Sequence, residues 1–220
     1  MRRIPFLLAA LFVIQLAWQM EVRREDARKT NLSSPPRIVA LRLASLDESA
    51  MASRYLMLYL QSFDIQPGIV VPYRDLDYGT VEKWLKTSLK LDERDPYPLF
   101  AASYIYTSAN EKEKKRRMLD FIYGEFLKDP KDRWPWLARG YLVTKYELHD
   151  LSLAAKYSAE LQEEAGVPNW VGEMTVFTLE NMGELERAKI LIGGMLSGGR
   201  ITDPNEVAFL KKELERIKSR

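Results

Sequence analysis

The segment 95–101, DPYPLFA, recurs in altered form 37 residues later, where 132–138 reads DRWPWLA. The correspondence extends beyond these two blocks, since Tyr104 and Tyr141 are separated by the same offset. Similar blocks at a fixed offset of this size are typical of a repeated unit built from two helices. Such a unit cannot bury its apolar side alone, so the sequence predicts an all-α fold of stacked antiparallel helical hairpins.

A second offset, of 34 residues, continues the pattern towards the C-terminus. Trp136 and Trp170 are separated by this distance, and so are Ala154 and Ala188. Each alanine is predicted to open the second helix of a hairpin, where a small side chain lets two helices approach closely.

Two short motifs resemble the tetratricopeptide repeat, a 34-residue helix–turn–helix unit. The segment 182–188, MGELERA, resembles that family's turn and the small residue of its second helix, and 126–130, FLKDP, resembles its closing motif. The resemblance covers roughly Thr80 to Leu196. It implies a right-handed superhelix whose first helices line a concave surface.

The concave surface that the resemblance implies supplies the candidate residues for binding a partner peptide. Five side chains fall on the predicted first helices: Tyr104, Arg139, Tyr141, Lys145 and Glu173. Tyrosine and arginine are frequent anchors in protein interfaces. For the two tyrosines, whose position repeats, packing in the core is the competing interpretation, so the arginine and the lysine are the preferred candidates.

Local signals set the predicted helix boundaries. Ser45 and Glu48 have the spacing of a capping box, so the repeat domain is predicted to span 45–220. Thr80, Asn110 and Asp150 are predicted to precede later helices. The first helix carries apolar residues at four-residue spacing, which places them on one face. These residues are Met51, Tyr55, Tyr59 and Phe63.

The end of the chain is predicted to form a capping helix, 203–218. Asp203 and Pro204 are a strong start signal, because proline is well tolerated in the first helical turn. Apolar residues then recur at intervals of three and four, giving a stripe on one face. The stripe contains Val207, Leu210, Leu214 and Ile217.

Residues 1–20 are predicted to anchor the chain in a membrane as a transmembrane helix. Arg2 and Arg3 precede an apolar run, 4–20, which only Gln15 and Gln19 interrupt. A helix of this length extends about 25 Å, slightly less than the ~30 Å hydrocarbon core of a bilayer. A cleaved signal peptide and a buried helix are the competing interpretations. Cleavage requires a pair of small residues that the sequence around Trp18 does not supply.

Residues 21–44 are predicted to be a linker, because Pro35 and Pro36 favour an extended chain. Signals for the orientation of the anchor conflict. The basic residues after it favour a cytoplasmic domain, whereas the short basic head resembles a signal-anchor, which exports the domain on its C-terminal side. We expect a single-pass protein of the inner membrane with its domain in the periplasm, and a cytoplasmic domain is the alternative.

Composition disfavours several kinds of chemistry. The 33 basic and 31 acidic residues leave a net charge of only +2, which disfavours nucleic-acid binding. There is no cysteine, and His149 is the only histidine, so neither thiol chemistry nor a metal site is expected. Pairs of acidic residues and pairs of glycines occur outside any catalytic or phosphate-binding motif. We expect no catalytic residue, cofactor, metal ion or small-molecule substrate.

One basic cluster, 112–117 (KEKKRR), is interpreted as a solvated helix face, with contact to anionic lipid or to an acidic partner as the alternative. Together these features favour a membrane-held scaffold in a bacterial envelope complex. Its partners would be another protein or peptide and, through residues 4–20, the lipid bilayer. A subunit permanently buried in a larger assembly is one alternative. An enzyme that attacks cell-wall or polysaccharide substrates with carboxylates is the other.

Overall fold

The computed structural model describes residues 11–18, 31–66, 69–163, 167–198 and 201–219. The all-α prediction is confirmed. Apart from a short antiparallel pairing of β1 (Ile65–Gln66) with β2 (Ile69–Val70), the described elements are helical. The helices are α1 (Ile38–Ala44), α2 (Ser49–Ser62), α3 (Tyr78–Leu91), α4 (Tyr97–Phe100), α5 (Lys112–Phe126), α6 (Pro130–Tyr146), α7 (Leu151–Glu163), α8 (Trp170–Asn181), α9 (Leu185–Ser197) and α10 (Pro204–Lys218).

Shorter helical turns complete the chain between the long helices. A 3₁₀ turn, Tyr73–Asp75, precedes α3. Helix α4 continues without a break into a π-helical turn, Ala101–Ile105, and a 3₁₀ turn, Tyr106–Ser108.

The predicted anchor lies mostly outside the described residues, which include only 11–18 of it. Those eight residues are helical, and their side chains are exposed. Within the described part of the chain, none of the helices combines the length and the apolar character needed to cross a bilayer. The anchor therefore stays a prediction.

Two predicted helix caps are confirmed in atomic detail. The Asp150 carboxylate accepts a hydrogen bond from the Leu153 N–H (3.0 Å), and Asp203 accepts one from the Asn205 N–H (2.8 Å). Gly183, predicted to separate two helices, follows α8 with φ +79°, a conformation that glycine adopts without steric cost.

Other predicted helix starts are wrong. The Ser45 hydroxyl donates to the Arg42 carbonyl (3.2 Å) at the end of α1, and α2 begins only at Ser49. Thr80 lies in the first turn of α3, whose cap is Asp77. Helix α5 follows Glu111, not Asn110. These starts were missed because suitable capping residues stand close together, and the turn geometry decides which of them is used.

Helix α1 lies within the range that the sequence predicts to be a linker. Leu32 and Leu41 are buried in the same apolar cluster as Leu56 and Leu85, which belong to α2 and α3. Burial of these leucines explains why the segment packs on the helical body although the two prolines before it favour an extended chain.

The helices pack against one another in chain order, and side chains also connect alternate helices. Trp134 of α6 contacts Trp170 of α8, with ring centroids 6.0 Å apart. Between α5 and α7, the Tyr123 hydroxyl donates to Glu160 (2.9 Å). Between α3 and α5, Arg117 pairs with Glu82 (3.0 Å). Positions about 35 residues apart in the sequence are thus neighbours in space.

The buried interior follows the same order from one end of the chain to the other. Ala154 in α7 and Ala188 in α9 are both fully buried, as expected for small residues at close helix contacts. The stripe predicted for α10 is confirmed, since Leu210 and Ile217 are fully buried and Leu214 packs on the same cluster.

Helix α2 is apolar on two sides. Its inner side, with Leu56 and Leu60, is buried against the rest of the molecule. Met51 and Tyr55, which the four-residue spacing places on one face, are exposed instead. The stripe therefore leaves the core at its start, whereas Tyr59 stacks on Trp84 with ring centroids 5.1 Å apart and Phe63 packs against the core.

Candidate functional site

Exposed and half-buried aromatic side chains on α4, α6, α8 and α10 form the candidate site. We call this set the aromatic surface: Phe100, Tyr104, Tyr146, Trp170, Phe177 and Phe209. Phe100 stacks on Tyr104 with ring centroids 5.1 Å apart. Phe177 and Phe209 meet edge to face at 6.2 Å. Its members thus include two separate ring pairs, one at the end of α4 and one between α8 and α10.

Arg139 connects α6 to the π-helical turn that follows α4. Its guanidinium carbon lies 5.0 Å from the centroid of the Tyr104 ring, in cation–π contact. One terminal nitrogen is 3.6 Å from Glu147, an ion-pair distance too long for a hydrogen bond. The buried Nε has no hydrogen-bond partner among the described residues. The Nε is shielded from solvent, so only the terminal nitrogens of this partly exposed side chain can donate to a group that approaches beside Tyr104.

Tyr141 and Lys145, the other two candidates on α6, lie in the interior. The Tyr141 hydroxyl bonds to the Met174 carbonyl (3.0 Å) and to the Thr178 hydroxyl (2.9 Å), and Lys145 Nζ donates to Tyr141 (3.1 Å). Burial raises the pKa of Tyr141, and the Thr178 hydrogen bond offsets part of the change. Both residues thus hold α6 against α8 in this structure.

Lys145 also contacts two rings of the aromatic surface from the interior. Its Nζ lies 5.5 Å from the ring centroid of Tyr146 and 5.9 Å from that of Phe177. A buried ammonium between two rings orients both of them and links two of the helices that carry the surface.

Glu173 lies in α8, three residues after Trp170 and four before Phe177. Its side chain is half-buried. Burial raises the pKa of its carboxyl group, and the neighbouring Glu206 of α10 raises it further. Of the five predicted residues, Tyr104, Arg139 and Glu173 are accessible, and Tyr104 contacts Arg139 directly. Their role in binding a partner stays a prediction.

Sequence reasoning missed most of the aromatic surface. Phe100 and Trp170 entered only as markers of the repeat, and Phe177 and Phe209 were not singled out. Aromatic residues at helical spacing carry the same signal whether they face the core or solvent. Only the placement of neighbouring helices shows which rings stay exposed.

Two of the acidic side chains in the described part of the chain make structural contacts. The Asp77 carboxylate caps α3 by accepting from Gly79 (3.2 Å) and Thr80 (3.0 Å), and a hydrogen bond from the Thr80 hydroxyl is the main cause of its lowered pKa. Glu186 pairs with Lys189 (2.7 Å). No cluster of metal-binding side chains occurs in the described part of the chain. His149 stands exposed in the turn before α7.

The basic cluster 112–117 is compensated by acidic neighbours. Arg116 pairs with Asp150 (2.8 Å), Arg117 with Glu82 (3.0 Å) and Lys114 with Glu111 (2.9 Å). A cavity of about 710 Å³ between α3 and α5 is lined by these same mixed charges. The cluster therefore offers no field of a single sign to a partner.

Comparison of the chain with family models, with curated proteins and with solved structures found no match. Function has to be inferred from the side chains themselves.

Proposed function

We propose that this chain is an interaction scaffold that binds another protein or peptide on the aromatic surface while residues 4–20 hold it in a membrane. One observation carries the binding proposal: Tyr104 is exposed and lies against Arg139, whose partly exposed guanidinium group makes only a 3.6 Å ion-pair contact, with Glu147. Tyrosine, tryptophan and arginine dominate the binding energy of protein interfaces. Clustered exposed apolar rings are typical of an interaction site.

The architecture that we propose for the scaffold is a stack of helical hairpins of the tetratricopeptide type, wound into a right-handed superhelix. Contacts between alternate helices about 35 residues apart support this arrangement, as does burial of Ala154 and Ala188 at an offset of 34 residues. In such a stack the first helix of each hairpin lines one side. The proposal would place α4, α6 and α8, with their exposed rings, on that side.

The cellular setting is proposed from the N-terminal sequence alone. We propose an inner-membrane location in a bacterium, with the helical domain in the periplasm as part of an envelope complex. Tethering raises the effective concentration of the scaffold near membrane partners and strengthens weak contacts.

Site-specific photo-crosslinking tests the binding proposal in the full chain. A photoreactive amino acid replaces Tyr104 or Tyr146, and a matched probe replaces Ile190, which is 74% exposed on α9 outside the aromatic surface. We expect the first two positions to capture a common protein in native membranes. If the Ile190 probe captures the same protein to the same extent, the aromatic surface is not the binding site.

A second variant tests the role of the arginine. Arg139→Ala should weaken binding of the captured partner about tenfold or more, because truncating a central interface arginine commonly costs more than about 1.4 kcal/mol. Arg187→Ala, which removes an exposed arginine of α9, is the control and should leave binding unchanged. Affinity is measured with purified full-length chain and partner.

A further inference from the structure

The N-terminal end of the helical body exposes many apolar side chains. We call them the N-terminal apolar face: Val39, Leu43, Leu46, Met51, Tyr55 and Leu58. Their exposed fractions lie between 59% and 90%. Largely exposed aliphatic side chains on two successive helices cost solubility unless something covers them.

The opposite end of the body is finished differently. Helix α10 buries Leu210 and Ile217 and presents Lys211, Lys212 and Glu215 to solvent. Terminal elements of a helical stack need one such polar face. Since α1 and α2 lack it, the two ends meet different surroundings.

Leu46 is the most exposed member of the N-terminal apolar face, at 90%. Its φ of +53° and that of Asp47, +68°, lie in the left-handed region, which costs a side-chain-bearing residue about 1–2 kcal/mol. The turn therefore holds a leucine away from the protein at some conformational cost. Two backbone hydrogen bonds close this turn, from the Asp47 N–H to the Arg42 carbonyl (2.7 Å) and from the Leu46 N–H to the Leu43 carbonyl (3.3 Å), so the end of α1 fixes the exposed position of Leu46.

The charge and the type of the exposed side chains indicate what kind of surface the N-terminal apolar face would contact. Three arginines, Arg37, Arg42 and Arg54, are exposed on the same two helices or at their start, against two exposed acids, Asp47 and Glu48, in the turn between them. Aliphatic side chains together with tyrosine and arginine are the composition of segments at the boundary between lipid headgroups and acyl chains. Arginine favours anionic headgroups in particular.

The length of the chain adds a geometric argument. Ten residues, 21–30, separate the apolar run from the first residue described after it. They reach at most about 36 Å even when fully extended. In an anchored chain, the end of the helical body that contains residue 31 is therefore held within about 36 Å of the bilayer.

We propose that the N-terminal apolar face lies on the membrane surface, with Leu46 and Leu58 entering the boundary between headgroups and acyl chains and Arg42 and Arg54 contacting anionic lipid. This inference rests on the proposed membrane anchorage. It adds a second attachment, which fixes the orientation of the helical body instead of leaving it on a free tether.

Fluorescence quenching by lipid tests the contact in the full chain. Because the protein has no cysteine, Leu46→Cys, Leu58→Cys and the control Ile190→Cys each carry a single environment-sensitive label. The chain is reconstituted into vesicles of phosphatidylcholine and phosphatidylglycerol, with or without a nitroxide lipid. We expect several-fold quenching and a blue shift at positions 46 and 58, and neither at 190.

Flotation of the vesicles separates the possible failures. Protein that floats while labels at 46 and 58 behave like the label at 190 overturns the surface contact but leaves the anchor intact. Protein that does not float overturns the anchorage and the contact together. A blue shift at position 58 that depends on protein concentration in lipid-free detergent, and is unchanged by lipid, identifies a second copy as the occupant and also overturns the proposal.

The arginines provide an independent readout. Quenching at position 58 should increase with the fraction of phosphatidylglycerol, and Arg42→Gln with Arg54→Gln should remove this dependence. Exposed Lys211→Gln with Lys212→Gln on α10 is the matched control and should preserve it. Equal loss in both double variants would contradict a specific contact at the N-terminal end.

Discussion

In the second copy of the repeated block, Arg133 stands where the first copy has Pro96. Its charged side chain is buried. Its guanidinium donates to the Glu125 carboxylate (2.8 Å), to the Glu125 carbonyl (3.1 Å) and to the Glu93 carbonyl (3.1 Å). A buried charge is tolerated when its hydrogen-bonding groups are satisfied in this way. The pair thereby fastens α6 to the end of α5.

Removing one member of this pair should be costly. Glu125→Ala leaves Arg133 buried without its counter-charge, and we expect the free energy of unfolding to fall by about 3–5 kcal/mol. Glu186→Ala, which breaks the exposed pair with Lys189, should cost less than about 1 kcal/mol. Urea denaturation of both variants measures the difference. Similar small losses would show that the Arg133 site is open to water.

Asp150 combines a helix cap with an ion pair, and the two can be separated by pH. The hydrogen bond from the Leu153 N–H is the main cause of its lowered pKa, and Arg116 adds to it. The stabilisation is therefore complete above the unfolded value of about 4 and is lost as pH falls through the lower folded value.

We expect Asp150→Asn to keep the cap, lose the Arg116 attraction and cost less than about 1 kcal/mol at neutral pH. The difference from wild type should vanish in acid, because the native carboxyl is then protonated too. Denaturation at several pH values measures it. Asp203→Asn is the control, because Asp203 caps α10 and has no basic partner in the described structure. A similar acid-sensitive loss in this variant would count against the ion pair.

At the scale of the helix, local sequence signals succeeded where one residue decides the outcome. Asp150 and Asp203 each cap the helix that they were expected to cap. Ser45 failed because Leu46 and Asp47 form a left-handed turn that no local propensity favours. Helix α1 was missed because its position depends on burial of Leu41 against distant residues, and that information is not local.

The buried alanines give a test of helix packing. Ala188→Leu adds volume at a fully buried contact of α9 and should lower the free energy of unfolding by about 1–3 kcal/mol. Ala208→Leu, on the exposed side of α10, should change it by less than about 0.5 kcal/mol. Thermal or urea unfolding distinguishes them. A tolerated leucine at 188 would mean that α9 packs more loosely than the structure indicates.

For the whole molecule, the repeat offset in the sequence predicted the order of the helices well but the aromatic surface only in part. Tyr104 and Arg139 are in contact with each other, and their role in binding a partner stays a prediction. Tyr141 lies only two residues after Arg139, yet this places it on the side of α6 that faces α8. The sequence period cannot show which side a neighbouring helix will cover.

Unfolding should be only partly cooperative, because each helix mainly contacts its near neighbours in the chain. Deleting residues 204–220 removes α10 and uncovers the cluster that contains Val176 and Ile192. We expect faster amide hydrogen exchange in α8 and α9, with α3 and α5 protected as before. Mass spectrometry of peptides after exchange reports each helix. Uniform loss of protection would indicate a single cooperative unit.

The contacts between alternate helices, about 35 positions apart, also determine how the molecule would respond to mechanical load. A pull between its two ends passes through the helix interfaces in series, so the weakest interface yields first and the others stay folded. The chain would then lengthen in steps of roughly one helix pair. A helical body with this property can absorb sudden tension without complete unfolding.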